Sequence, residues 1–278
     1  MEIIDRLNIY PNIFTDPTAK DVPSPSTANW KIVYNFLAEL KSNETPDSIY
    51  LSLVRSEDAK YAAWILAALT PWSAIPPPII LPGTKIPLPL GTLVVKEGLK
   101  ADSKLCNVVT GVFRNYITIT ALKDAIKNGE SHIHERDVVG MSIRRWDSQG
   151  GNWRLQALFA ILVEAMHLES EAGKILSFHM PQTLLISHQG YQSLFSEWQA
   201  FLDHLKQLDV MDAPTMKPLV DGTRLSKALG VKPGIWMKAA LDVCMEWQLR
   251  NPDEKDEEKA RELAIEEVRK RKAELKIP

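Results

Sequence analysis

The chain has 278 residues, 45% of them hydrophobic, and a net charge of -2. That much apolar material can build a substantial core, in one long domain or two smaller ones. The charge excludes a globally basic nucleic-acid binder, so any RNA contact must come from a local, salt-sensitive patch.

Eight Trp against only 13 Gly favour helices over a turn-rich β architecture, and the 18 Pro fall in a few connecting stretches. The expected class is all-α, with an elongated multi-helix body over residues 1–208 and a small helical tail over 209–278. Cys106 and Cys244 lie far apart in apolar helical contexts, which points to buried thiols in a reducing compartment. Residues 1–14 have neither a basic segment nor an uninterrupted apolar run, and no window has the length of a membrane span. A soluble intracellular monomer is expected.

Taken in order, Ile3, Ile4 and Leu7 give a helical pattern that stops before Pro11. It looks like the end of a longer helix and suggests a domain upstream. Residues 15–28, rich in Pro, Ser, Thr and Asp, read as a loop ending at an N-cap, Ser26 or Thr27. Trp30, Val33, Tyr34, Leu37 and Leu40 then trace one helical face, read as core. A further helix is expected from Ser56 to Leu69, with Tyr61, Ala62, Ile65, Leu66 and Leu69 at the same period. Residues 70–89 hold so many prolines that regular helix is ruled out, since proline removes a donor and restricts its predecessor. An extended or polyproline segment packed on the body is expected there.

Helical patterns resume over 107–126, where Val108, Val112, Tyr116, Ile119 and Leu122 or Lys123 recur, and over 135–146. After Gly150-Gly151 comes a helix over 153–167, carrying Leu155, Leu158, Phe159, Leu162, Val163 and Met166. Residues 171–190 have no clear assignment. The stretch 191–208 is again periodic, with Leu194, Phe195, Trp198, Phe201, Leu202 and Leu205 on one side. Residues 253–276 hold eight basic and nine acidic side chains around Ala260, Leu263, Ala264 and Val268. A solvated terminal helix with i,i+4 pairs is expected, too balanced in charge to serve as an RNA arm.

The most informative stretch is 217–250. Asp221 is a candidate N-cap, Leu225, Ala228 and Leu229 fall at helical spacing, and Gly230 suits a left-handed helix end. Pro233-Gly234 is expected to open a second helix. Its stripe would run through Ile235 or Trp236, Ala239, Leu241 or Asp242, Val243, Met245 or Glu246, and Leu249. Free amides at that second helix start, beside Lys232, would suit a backbone phosphate. An αα-corner with Lys232 merely solvated is the other reading of the same turn. Six basic residues face three acidic ones between 217 and 250.

A second basic region runs through Arg114, Lys123, Lys127, Arg136, Arg144, Arg145 and Arg154. Arg136, Arg144 and Arg145 on one helix face would suit an RNA duplex backbone. Pairing with Asp137 and Asp147 is the competing use. His132-Ile133-His134 with Glu130 and Glu135 is discounted as a metal site, because that spacing lacks a second ligand cluster.

The run Pro218-Leu219-x-Asp221-Gly222-x-x-Leu225-x-x-x-Leu229-Gly230-x-Lys232-Pro233-Gly234 is followed by Leu241 and Glu246-Trp247-Gln248-Leu249-x-Asn251-Pro252. It resembles the C-terminal part of eukaryotic, notably fungal, class II CCA-adding tRNA nucleotidyltransferases. Leu7-Asn8-Ile9-Tyr10, Ile13-Phe14 and Pro17 are similar to the segment that enters the helical body of that family. The likeness is dense at both ends and weaker between.

The resemblance implies a chain that grips the elbow and acceptor stem of tRNA. Its contacts would be Arg224, Lys227, Lys232, Gly234 and Lys238 in the tail, with Arg136, Arg144 and Arg145. It also implies that the intact enzyme adds CCA from CTP and ATP with magnesium, and works in cytoplasm, nucleus and mitochondrion. Nucleotidyl transfer needs carboxylates that hold two metal ions. The sequence has no Asp-x-Asp, no Gly-Ser dipeptide, no Arg-Arg-Asp and no Glu-Asp-x-x-Arg. No cofactor is therefore expected on this chain, which on its own should be inactive and should partner a separate N-terminal catalytic domain. A free-standing helical interaction protein that binds no RNA is the alternative.

Overall fold

The structure, a computed structural model, describes residues 1–18, 23–76, 83, 85–175 and 183–278, with 169–175 and 183–190 in backbone only. The expected all-α class is what it shows: the chain is 70% helical, with no strand among the described residues. The helices are α1 (Glu2–Arg6), α2 (Tyr10–Ile13), α3 (Trp30–Ser42), α4 (Ile49–Leu53), α5 (Glu57–Leu69) and α6 (Leu90–Leu93). Then come α7 (Ser103–Asn128), α8 (Arg136–Asp147), α9 (Trp153–Ile175) and α10 (Thr183–Gln207). The last three are α11 (Gly222–Leu229), α12 (Met237–Arg250) and α13 (Glu257–Lys270). The chain forms two compact units, residues 1–128 with 146–203, and residues 129–145 with 204–278.

In the first unit α9 is the centre, contacting α3, α4, α5 and α7. From Ala157 to Leu162 every residue is fully buried, the mark of a helix apolar all round and surrounded by others. Its one fully buried polar side chain, Gln156, is satisfied. Its Nε2 donates to the Trp146 carbonyl at 2.6 Å, and its Oε1 accepts from Asn115 Nδ2 at 3.0 Å. The stripe on α3 is buried as expected, with Phe36 added to it. Trp30 Nε1 donates to the Ala67 carbonyl at 3.0 Å, and Tyr10 Oη to that of Ala68 at 2.6 Å, tying α2 and α3 to the end of α5. On α5 the buried face is made of Ala62, Ala63, Leu66, Ala67 and Leu69, while Tyr61 is exposed.

Capping starts α5 at the expected Ser56, whose Oγ accepts from the Ala59 amide at 3.1 Å. It differs at α3, where neither Ser26 nor Thr27 caps the helix. The N-cap position is Asn29, and its side chain is drawn away to donate to the Met166 carbonyl at 3.0 Å. The proline-rich stretch starts with a 3₁₀ turn at Thr70–Ala74 and has no regular secondary structure from 85 to 89. Residues 77–82 and 84 lie outside the described residues, as do 176–182 within the unassigned 171–190 segment.

Lys123 on α7 is 4% exposed and lies 2.9 Å from Glu164 Oε1 and from Asp124 Oδ1, and 3.3 Å from Glu197 Oε2. Burial works to lower its pKa, but the bonds to Glu164 and Asp124 outweigh this and raise it. Lys127 pairs with the other oxygen of Glu197 at 2.8 Å. Arg154 donates from the core to the Ser52 carbonyl at 3.0 Å and lies over the Trp153 ring.

The second unit has its own core of Val220, Leu225, Trp236, Ala240, Val243, Cys244, Ala264, Ile265, Val268 and Ile277. Two expectations are corrected here. The α12 stripe passes through Ala240, with Ala239 exposed. The terminal helix is no solvated arm, since Ala260, Ala264, Ile265 and Val268 recur every three to four residues and bury one face against α12. Its outer face carries the expected pairs, Arg261 with Glu257 and Arg271 with Glu267. Gly140 lets α8 approach α12, since a Cβ there would stand 3.0 Å from both methyls of Leu249. Cys244 is buried as expected, and burial pushes its thiol up to about 12, whereas Cys106 is only partly buried.

Candidate functional site

The stretch from Asp221 to Trp236 is built by local rules. Asp221 Oδ1 accepts the Arg224 amide at 2.8 Å and starts α11. Gly230 ends the helix in the left-handed region at φ 67°, with its amide on the Lys227 carbonyl and the Val231 amide on that of Ser226. The second helix departs from expectation. Residues 231–234 are not helical, and α12 begins at Met237, five positions after Lys232. Pro233 has no N–H to give, and the Met237 amide closes a turn on the Gly234 carbonyl at 3.1 Å. The first i to i−4 bond is Ala240 to Trp236, at 3.0 Å. Lys232 therefore sits on the connecting turn, and Lys238 in the first turn of α12.

The basic residues divide sharply by use. Lys227, Lys232 and Lys238 are exposed, and no carboxylate among the described residues lies within ion-pair reach of any of them. Gly234 is exposed beside them. Arg224 is exposed too, but its Nη2 is paired with Glu258 at 2.5 Å.

The arginines of α8 are engaged inside the second unit. Arg136 donates Nε to the Leu208 carbonyl at 2.8 Å and Nη1 to that of Leu249 at 2.6 Å. Its Nη2 reaches the Asp209 carbonyl at 2.9 Å and Asp209 Oδ2 at 3.0 Å. One planar fork thus closes the carbonyl ends of α10 and α12. Arg144 Nη1 donates to the Ala213 carbonyl and to that of Met216, the latter at 3.2 Å. Arg145 is exposed but also has an interaction partner.

The acidic partners suggested for α8 are occupied elsewhere: Asp137 pairs with Arg250 at 3.0 Å, and Asp147 accepts the Trp153 amide at 3.0 Å. Lys227 on α11, Lys232 and Gly234 on the turn and Lys238 in α12 follow one another along one helix-turn-helix stretch, whereas Arg136 and Arg144 are internal braces. Periodicity gave no sign of this division, because the acceptors lie far along the chain.

No group of three His, Cys, Asp or Glu among the described residues is placed to hold a metal ion. His132 Nδ1 faces Glu130 at 3.5 Å, and the His134 ring packs edge-on against His204 at 5.8 Å. The described residues offer no such set for the two-metal chemistry of nucleotidyl transfer. No described helix is long and apolar enough to cross a membrane.

No family model matches the chain, and no solved structure matches it. Among curated proteins it is 43% identical to the nucleotidyltransferase lcsQ of Purpureocillium lilacinum, over 100% of this chain and 49% of that protein. It is 24% identical to the tRNA nucleotidyltransferase cca2 of Schizosaccharomyces pombe, over 77% of this chain and 40% of the relative. It is likewise 24% identical to the mitochondrial CCA tRNA nucleotidyltransferase of Saccharomyces cerevisiae, over 59% of this chain and 27% of the relative. The chain thus spans about half the length, or less, of the curated relatives it matches, and those relatives are nucleotidyltransferases.

Proposed function

We propose that this chain is the RNA-gripping portion of a nucleotidyltransferase of the CCA-adding kind, and that its ligand is tRNA. The observation that carries the reading is the set of lysines without ion-pair partners among the described residues, Lys227, Lys232 and Lys238, on the helix-turn-helix stretch whose sequence resembles that family's C-terminal motif. In a chain of net charge -2, lysines left without carboxylates along one helix-turn-helix stretch make a local anion-binding patch. Amides 238 and 239 precede the first closed turn of α12 and add partial positive charge beside them. The similarity to tRNA nucleotidyltransferases supports tRNA over other polyanions.

On this proposal Lys227, Lys232 and Lys238 hold the phosphate backbone, and Arg224, drawn from Glu258, is a secondary contact. Arg136 and Arg144 shape the unit instead of touching RNA. Nucleotidyl transfer from CTP and ATP, with its magnesium ions, takes place on carboxylates of a catalytic portion outside these 278 residues. That portion is the second partner.

The test is tRNA binding by the whole chain across a salt series. Three phosphate contacts should give a slope of about -2 to -3 in log K against log salt, and Lys232→Glu should lower both affinity and slope. Affinity no better than that of a neutral helical protein would favour a helical interaction protein that binds no RNA. The chain alone is expected to incorporate no CMP or AMP into tRNA lacking CCA; templated incorporation would show an active site among its own residues.

A further inference from the structure

Ile235 is 100% exposed, while its neighbour Trp236 is 4% exposed and belongs to the core of the second unit. Trp236 packs against Gly234. A Cβ there would stand 3.1 Å from Trp236 Cδ1 and 3.2 Å from Nε1, so the indole lies close to a bare Cα, while the Ile235 side chain between them faces water. The base of this turn is braced. Val231 N–H donates to the Ser226 carbonyl at 3.1 Å, Ser226 Oγ donates to the Val231 carbonyl at 2.5 Å, and Arg269 Nη2 donates to the Ala228 carbonyl at 3.1 Å. Ile235 is thus held in water by ordered structure.

A single exposed isoleucine is by itself ordinary. Its setting is not. Lys232 and Lys238 stand three residues to either side, and neither has a carboxylate within reach among the described residues. An RNA duplex presents phosphates and 2′-hydroxyls along its length; its apolar surfaces are base faces, which open only at loops, bulges and ends. A lysine patch alone grips any duplex, whereas an aliphatic tip at its centre gains only where a base face is open.

We propose that Ile235 seats on an unstacked base face of a folded RNA while Lys232 and Lys238 hold the flanking phosphates, so that the turn selects folded tRNA over uninterrupted duplex. The proposal rests on the RNA reading given above. The side chain makes no contact within its unit, so Ile235→Ala should leave the fold intact, which the melting temperature and tryptophan fluorescence would verify.

The experiment is fluorescence anisotropy of the whole chain with a tRNA transcript and with a long uninterrupted RNA duplex at one salt concentration. Ile235→Ala is expected to weaken tRNA binding about three- to tenfold, with duplex binding and the salt slope unchanged. Ile235→Phe is expected to retain the preference for tRNA, since an aromatic ring also stacks on a base. Equal change on both RNAs, or no change on either while Lys232→Glu weakens both, overturns the role of Ile235 alone. If Lys232→Glu also weakens neither, the RNA reading fails, and this proposal with it.

Discussion

Lys123, Arg136, Arg144 and Arg154 of the α7–α9 region and the lysines of the tail stretch look equivalent in sequence, yet they are put to opposite uses. Arg136, Arg144, Lys123 and Arg154 point inward to carbonyls and carboxylates, while Lys227, Lys232 and Lys238 are left in water. Side-chain chemistry explains part of the division. A guanidinium offers five donors in a fixed plane and can close several helix-end carbonyls at once, as Arg136 does for Leu208, Asp209 and Leu249. An exposed ammonium on a flexible stem has little reason to give up its hydration. What the comparison teaches is that a count of local charge is not a count of available charge. The six basic residues between 217 and 250 include Arg224 and Arg250, both paired.

The sharpest way to test the division is to remove an inward cation. Lys123→Ala would leave Glu164 and Glu197 facing each other without their buried partner, and a loss of about 3–5 kcal/mol in urea unfolding is expected. Arg136→Ala comes next, because three carbonyls and a carboxylate lose their donor; about 2–4 kcal/mol is expected, and Arg136→Lys should recover only part of it. Equal stability of wild type and Arg136→Ala would place that arginine with the tail lysines.

Acid offers a third probe. Burial works to raise the pKa of Glu197, but the bonds from Lys127 and Lys123 prevail and hold it below its ordinary 4.5. A depressed carboxylate stabilises above its unfolded pKa and loses that contribution as pH falls through the folded value. The first unit should therefore weaken below about pH 4.5, and Lys127→Ala should flatten that part of the stability profile. A smaller readout comes from the thiols. With its pKa pushed up to about 12 by burial, Cys244 should react with an alkylating agent far more slowly at pH 8 than the partly buried Cys106. The smallest effect is expected at Lys232→Glu, where the melting temperature should stay within about 1 °C of wild type.

Much of the fold was legible where one helix carries enough turns to show its period. The α3 and α10 stripes, the start of α5 at Ser56, and the Asp221 and Gly230 signals that bound α11 are all readable. Ile49–Leu53 was not, since five residues cannot display a 3.6-residue repeat. The start of α12 was placed too early because Pro233-Gly234 is a common helix opening. Here a turn closed by the Met237 amide on the Gly234 carbonyl precedes the helix, which begins at Met237. The use of Asn29 against Met166, and of Arg136 against Leu249, is fixed by partners more than 100 positions away. Local pattern carries no trace of such contacts. At the candidate site the lysines were legible as charges, while their freedom, and the outward Ile235, became visible only once every partner had been placed.

The bond between Arg136 and the Leu249 carbonyl spans 113 positions, and the unit it braces takes in 129–145 together with 204–278. On a growing chain α8 therefore has to wait, its fork unfilled, until α12 has been made. Contacts of such separation form late and slow the search for the native state. The stretch that presents the lysines is accordingly expected to be the last part of the molecule to take shape, and a truncation that spares all of 204–278 but omits 129–145 should fail to fold it.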